Sequence, residues 1–341
     1  MSQTYIILER IHVQNANCIA GLTFGFPAIT QFLGFSHALQ LKMQDIYPIK
    51  VNGCAVFCHS HESHIFQVNT YQGKRTGDYT FIQRKSSPTF SKHAKESPPI
   101  IEEGKMNLCV SLVLSCDSLN ISRRNQADAI KKQILHQAHR LKLAGGSITR
   151  IEDISILNQA ESIDSQNVLL KVIQRKLMPS FVLCDRRSIL LEHYNTLKNE
   201  DDNIDLLDAW LDFSRLTYEA QTNQLEESST DSNNIDWLLK PRPKKGWLVP
   251  IMTGFTAISP LQDKGTVMGA RSPDYPFSFV EAVYSIGEWL STHRINNLED
   301  LMWHYHYEPD WYLCQQTTSL YEDDAVNEDS DDDLYDFDYT L

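Results

Sequence analysis

Two adjacent glycines at the end of a basic, amphipathic stretch most constrain what this chain can fold into. The segment is His139–Arg150, HRLKLAGGSITR. It begins as the last turn of a helix, breaks at Gly145 and Gly146, and leaves on Ser147 and the β-branched Ile148 and Thr149. Paired glycines let the backbone adopt positive φ and approach a neighbour or a ligand closely. Arg140, Lys142 and Arg150 flank them, Lys132 lies further back along the helix, and no acid occurs between Ala129 and Arg150. Backbone N–H groups, a hydroxyl and clustered cations can hold a phosphate chain. The same pattern also fits a helix C-cap followed by a strand, and the sequence leaves both readings open.

The charge is unevenly spread. The net charge is −13, but ten acids and no Lys or Arg fall between Tyr321 and Leu341, and removing those ten leaves −3. The cations gather in Lys74–Lys95, Lys131–Arg150, Lys171–Arg187 and Lys240–Lys245. Local positive fields on a nearly neutral body suit a polyanionic partner. The acidic run predicts a disordered tail, 321–341, because like charges resist compaction. No run of 18 apolar residues exists, so no membrane span is expected. Seven cysteines without framework spacing, and a start without signal-peptide shape, fit a reducing bacterial cytoplasm.

The periodicity predicts an α+β fold. Tyr5–Val13, Val51–His59 and Met106–Cys116 alternate as strands, and Ala28–Met43 and Asn125–Leu143 carry helical apolar stripes. With a strand after Gly146, the order over residues 1–150 is β-α-β-β-α-β, a ferredoxin-like, modified RRM-like domain. RNA-recognition domains are built this way. The long insertion 61–105 reads as a thumb-like hairpin in which cations alternate with Tyr79, Phe81 and Phe90, a composition suited to phosphates and bases. Residues 151–320 read as a mixed, helix-rich region. Helices are expected over Val168–Leu177, Ser188–Leu197, Ile204–Tyr218, Phe277–Leu290 and Leu298–Tyr307, with a strand over Gly246–Ile258.

Catalytic and metal motifs are sparse. Cys58, His59, His61 and His64 cluster, but their spacing matches no standard zinc pattern, and no metal or other cofactor is expected. Cys54 and Cys58 are expected as buried thiols rather than ligands, and His304 and His306 as residues at a helix end. His37, His12 and His139 are the candidate acid–base groups for phosphodiester chemistry, and none has a partner in the sequence. No P-loop, dinucleotide fingerprint or nucleophile elbow is present.

Six segments carry a family resemblance: QNANCIAGLTFGFPAITQFLGFSHALQ (14–40), GKRT (73–76), IEEG (101–104), LAGGSI (143–148), GWLVPIMTGFTAISPL (246–261) and FVEAVYSIGEWLSTHR (279–294). Together they make the chain similar to the Cas-five subunits, the second Csy proteins, of type I-F CRISPR surveillance complexes. The serine-rich stretch Ser86–Pro99 and the acidic tail depart from that pattern. The resemblance implies a non-enzymatic subunit that caps the 5′ handle of the CRISPR RNA and pairs with the large subunit. It also implies contact with the terminal backbone subunit, and with target DNA near the protospacer-adjacent end. On that basis Asn15 and Asn17 are expected to hydrogen-bond handle nucleotides, since an amide both donates and accepts. Phe24 is expected against a base or in the core. Lys74, Arg75 and Arg84 are expected on phosphates, with Arg140, Gly145, Gly146 and Ser147 along the RNA path. The rival expectation is a metal-independent endoribonuclease using His37 or His139.

Overall fold

The computed structural model describes residues 3–47, 49–69, 75–85, 100–117, 124–158, 163–222, 235–270 and 272–317. The chain opens with a long strand, β1 (Gln3–Asn17), a small hairpin of β2 (Ile19–Ala20) and β3 (Thr23–Phe24), helix α1 (Ile29–Gln44) and β4 (Lys50–Ser63). Three strands follow within the insertion, β5 (Ile65–Asn69), β6 (Arg75–Lys85) and β7 (Ile100–Glu103), and then β8 (Lys105–Asp117). Next come α2 (Arg124–Ala138), β9 (Lys142–Leu143), β10 (Gly146–Asn158), α3 (Ile163–Leu177), β11 (Phe181–Asp185), α4 (Arg187–Glu200) and α5 (Leu206–Leu211). The remainder is strand: β12 (Tyr218–Thr222), β13 (Ile235–Leu239), β14 (Leu248–Ala257), β15 (Val280–Ser291), β16 (His304–Glu308) and β17 (Trp311–Gln315).

The fold is α+β, dominated by one ten-stranded sheet in the order β16-β17-β14-β15-β11-β4-β8-β1-β10-β9, with every pairing antiparallel. β10 crosses residue 150, and β11 attaches the C-terminal strands to the edge of β4, so one sheet runs through both halves of the sequence. The insertion forms a separate three-stranded antiparallel sheet, β5-β6-β7, rather than a single hairpin.

The central strands are apolar on both faces. Ile6, Leu8, Val56, Val110, Leu112 and Leu114 pack beneath α1 and α2, through Ile29, Phe32, Leu39, Ile130 and Ile134. Tyr5, Ile7, Phe57 and Val113 face the other way, against Ile173 and Leu177 of α3. The segment expected as a helix over Phe277–Leu290 instead holds strand β15, Val280–Ser291, and Leu298–Tyr307 divides into a 3-10 turn, Glu299–Leu301, and the start of strand β16. Ser285, Ile286 and Gly287 are buried in succession, so no two-residue alternation marks β15 as a strand. Ile204–Tyr218 is helical only over α5, where Asp205 and Asp208 form a reciprocal capping box. The C-terminal region is therefore strand-rich rather than helix-rich. The Trp303 indole is fully buried and donates to the Leu183 carbonyl at 3.1 Å.

Helix α2 ends at Ala138, five residues short of the expected Leu143. Leu143 pairs with Gly146 across a two-residue turn whose residues, Ala144 (φ 50°) and Gly145 (φ 75°), are both left-handed. Such turns match the right-handed twist of the strands they join. The paired glycines thus belong to a β-hairpin and do not cap a helix.

Candidate nucleic-acid interface

Three segments meet at the hairpin. β1 bulges twice against β8, between Leu8 and Ile11 and between Val13 and Ala16. Each bulge holds a left-handed residue, Arg10 (φ 47°) and Asn15 (φ 57°). Bulges bend a strand and re-aim its side chains. After the second bulge the Asn17 N–H donates to Ala144 O at 2.8 Å, and Lys105 Nζ donates to Asn17 Oδ1 at 2.8 Å. Lys105 also lies 3.8 Å from Glu103. Gly145 faces the Asn17 amide so closely that a Cβ there would sit 2.8 Å from Nδ2. A Cβ on Gly146 would sit 2.6 Å from Gln14 O and 2.8 Å from Ala16 N, so only glycine fits against that part of β1. The insertion returns to the same corner, where Cys18 N–H donates to Gly104 O at 3.1 Å.

The structure therefore brings Asn17, Gly145 and Gly146 together, with exposed Asn15 and Ser147 beside them on adjacent strands. Phe24 is 47% exposed on the β2–β3 hairpin. Arg140 follows α2 and lines an open cavity of about 540 Å³ with Lys42, Asp45 and Gln137, between the ends of α1 and α2. It belongs to the helix layer rather than to the hairpin corner. Lys74 lies outside the described residues, as do the side chains of Arg75 and Arg84 and the tail 321–341. Lys105 carries no sequence signal for this place: an isolated lysine at the end of a long insertion has no local pattern that sets it on Asn17.

A second polar strip lies on the α3 face of β4, β8, β1 and β10. It begins where α3 stops, with Lys176 Nζ 2.8 Å from Glu9 Oε1 and Arg10 Nη2 donating to Met178 O at 3.2 Å. Ser111 Oγ accepts from the Arg10 backbone N–H at 2.8 Å and lies 2.7 Å from His59 Nε2, while His59 Nδ1 lies 2.9 Å from Pro179 O. A neutral ring with its proton on Nδ1 fits this chain, with the Ser111 hydroxyl donating to Nε2. Burial pushes the His59 pKa below its usual value, partly opposed by the bond to Pro179. Beyond His59, Glu152 lies 3.3 Å from His12 Nε2, 3.6 Å from Arg10 Nε and 3.9 Å from Arg150 Nη2. The hydrogen bond with His12 holds the Glu152 carboxyl below its ordinary value, with Arg150 and Arg10 adding to the effect against partial desolvation.

The other candidates are engaged locally. His37 stacks edge-on against Tyr305, with centroids 6.4 Å apart, and His139 Nδ1 is 3.4 Å from Ile148 O. His304 and His306 lie on strand β16, not at a helix end: His304 Nδ1 is 2.9 Å from Asn52 O and His306 Nε2 is 2.7 Å from Glu308. Cys54 is fully buried and its thiol is pushed up to about 12 by desolvation, whereas Cys58, expected to be buried like it, is only half-buried near the end of β4. All seven cysteines are free. Among the described residues no three His, Cys, Asp or Glu side chains converge as metal ligands, and no helix is long and apolar enough to cross a membrane.

A family model described as CRISPR-associated protein (Cas_Csy2) matches residues 6–314, taking in both the hairpin corner and the sheet that carries it. The chain belongs to this family of CRISPR-associated proteins. It is 34% identical over 332 residues to CRISPR-associated protein Csy2 of Pseudomonas aeruginosa (strain UCBPP-PA14), an alignment covering 95% of this chain and 98% of that protein. The family match extends to Cys314 and so includes the C-terminal strands β14 to β17 almost entirely.

Proposed function

We propose that this chain is a non-catalytic, RNA-binding subunit of a type I-F CRISPR complex, of the Cas-five kind. In this role it holds the 5′ handle of the CRISPR RNA and pairs with the large subunit and the terminal backbone subunit. The observation that carries the proposal is the corner formed by Asn17, Lys105 and the Ala144–Gly145 turn, inside a chain whose family match spans residues 6–314. That corner offers amide donors and acceptors, a cation and an exposed hydroxyl at one place, the mixture that reads single-stranded RNA through bases, sugars and phosphates. The strand order β10-β1-β8-β4, with α1 and α2 on one face, supports an RRM-like reading, because it is the antiparallel order of a ferredoxin-like unit. Trp237, Leu238 and Leu239 of β13 are each about half exposed or more, on a two-stranded ribbon outside the main sheet.

The test is co-expression with the other proteins of the system and a CRISPR RNA. The tagged chain is expected to retain that RNA and the large subunit, and Asn17→Ala with Lys105→Ala to weaken RNA retention. Incubation with unprocessed repeat RNA in the absence of metal is expected to leave the RNA intact. Cleavage abolished by His37→Ala or His139→Ala would replace this reading with the endoribonuclease.

A further inference from the structure

We infer that Arg10, His12 and Arg150 form a second RNA-phosphate position, which the Glu152 carboxylate fills in the free chain. The inference rests on the reading that the chain binds RNA. Three nitrogen groups from adjacent strands converge on one carboxylate at 3.3, 3.6 and 3.9 Å. Charge-assisted N–H···O contacts close to about 2.7–2.9 Å when the geometry is good. One carboxylate with two oxygens is therefore a loose occupant of a position with three donors. A phosphodiester, with oxygens projecting from a tetrahedral centre, is the better fit.

The position is built, not incidental. Arg10 stands at a bulge in the left-handed region, its backbone N–H held by Ser111 and its guanidinium by Met178 O. His12 pairs with Arg150 in the β1–β10 ladder, and the same ladder pairs Gln14 with Ser147. Arg150 thus lies three residues from Ser147, about 10 Å along the strand. Its neighbour Thr149 is exposed, and its hydroxyl donates to His12 O at 3.1 Å. The Gln14–Ser147 and His12–Arg150 pairs flank the buried Val13–Ile148 pair and lie on the opposite face of the sheet, so the second strip continues from the hairpin corner and an RNA strand held by Asn17 and Lys105 would have its next phosphates over this cluster. The neighbouring amides and hydroxyls favour RNA over an acidic protein segment, because they can also hydrogen-bond bases and ribose.

The experiment measures binding of the full-length chain to a labelled single-stranded RNA of repeat sequence by fluorescence anisotropy, across salt concentrations. Glu152→Gln is expected to tighten binding about two- to fivefold at low salt, the range that exposed charge pairs support. It is also expected to steepen the salt dependence by about one ion. Arg150→Gln, at a 69% exposed side chain that the fold does not need, is expected to weaken binding and flatten the slope by about one. Wild-type chain that binds RNA, with both variants unchanged, would overturn this site and leave the proposed function intact. Failure of the wild-type chain to bind RNA would instead overturn the function. A poly-glutamate peptide that gains affinity for Glu152→Gln while RNA does not would make the cluster a protein-docking site and also defeat the inference.

Discussion

Gly145→Ala compared with Gly265→Ala isolates the coupling between the hairpin turn and Asn17. The two glycines have nearly the same backbone, φ 75° and φ 71°. Placing an L-residue in that region costs roughly 1–2 kcal/mol at either site. Their surroundings differ. At Gly265 an added Cβ meets only Pro273 O at 3.8 Å, an ordinary contact, whereas at Gly145 it meets Asn17 Nδ2 at 2.8 Å. The Asn17 amide must then swing away and give up the bond from Lys105. That bond is charge-assisted but partly solvated, so its loss adds about 1 kcal/mol. Thermal unfolding is expected to show a drop of about 2–4 °C for each kcal/mol, with Gly145→Ala falling further than Gly265→Ala. RNA binding separates them more sharply. Gly265→Ala is expected to bind like the wild type, and Gly145→Ala about tenfold more weakly, the effect of one lost hydrogen bond near 1.4 kcal/mol. Equal melting temperatures and equal RNA affinities for the two variants would refute the argument that Asn17 is positioned by the turn.

The remaining predictions concern acid sensitivity, the core and the insertion. Because burial depresses the His59 pKa, the unfolded chain takes up a proton first, so folded stability contributed by the neutral ring is present above pH ~6.5 and is lost as pH falls below it. His59→Gln is expected to flatten the dependence of melting temperature on pH between about 7 and 5, and an unchanged profile would show that His59 is not the sensitive group. Trp303→Ala is expected to destabilise the chain by about 3–5 kcal/mol through cavity formation. Trp303→Phe should do less harm, since Gln316 Nε2 still donates to the Leu183 carbonyl; denaturant unfolding distinguishes the two. Alanine at Lys74, Arg75 and Arg84 together is expected to lower the salt slope of RNA binding by about one per lost phosphate contact. A slope identical to wild type would remove the insertion from the RNA path.

The N-terminal half of the fold was legible in the sequence because its elements carry their own periods. Helix α1 shows its buried stripe, Ile29, Phe32, Leu33, Leu39 and Met43, at helical spacing, and β8 alternates Leu108, Val110, Leu112 and Leu114. Gly145 stands out locally because its turn needs a left-handed residue, but that Asn17 sits against Gly145 is set by the pairing of β1 with β10 and not by either segment alone. Tertiary structure alone decided the rest. β15 reads as a helix in sequence because its middle residues Ser285, Ile286 and Gly287 are buried in succession, with Gly287 fitted between Ile251 and Leu183, and the alternation that marks a half-exposed strand is lost there. In sequence the turn reads as a helix end, because Leu143 can continue a helical stripe or begin a strand, and only its pairing with Gly146 chooses between them. Lys105 and Glu152 were invisible as site residues for a related reason. A lysine 88 residues from Asn17, or a glutamate 140 residues from His12, becomes a partner only when distant strands are laid side by side. Local sequence sets backbone preference and burial, but which side chains share a face is fixed by the register of strands far apart in the chain.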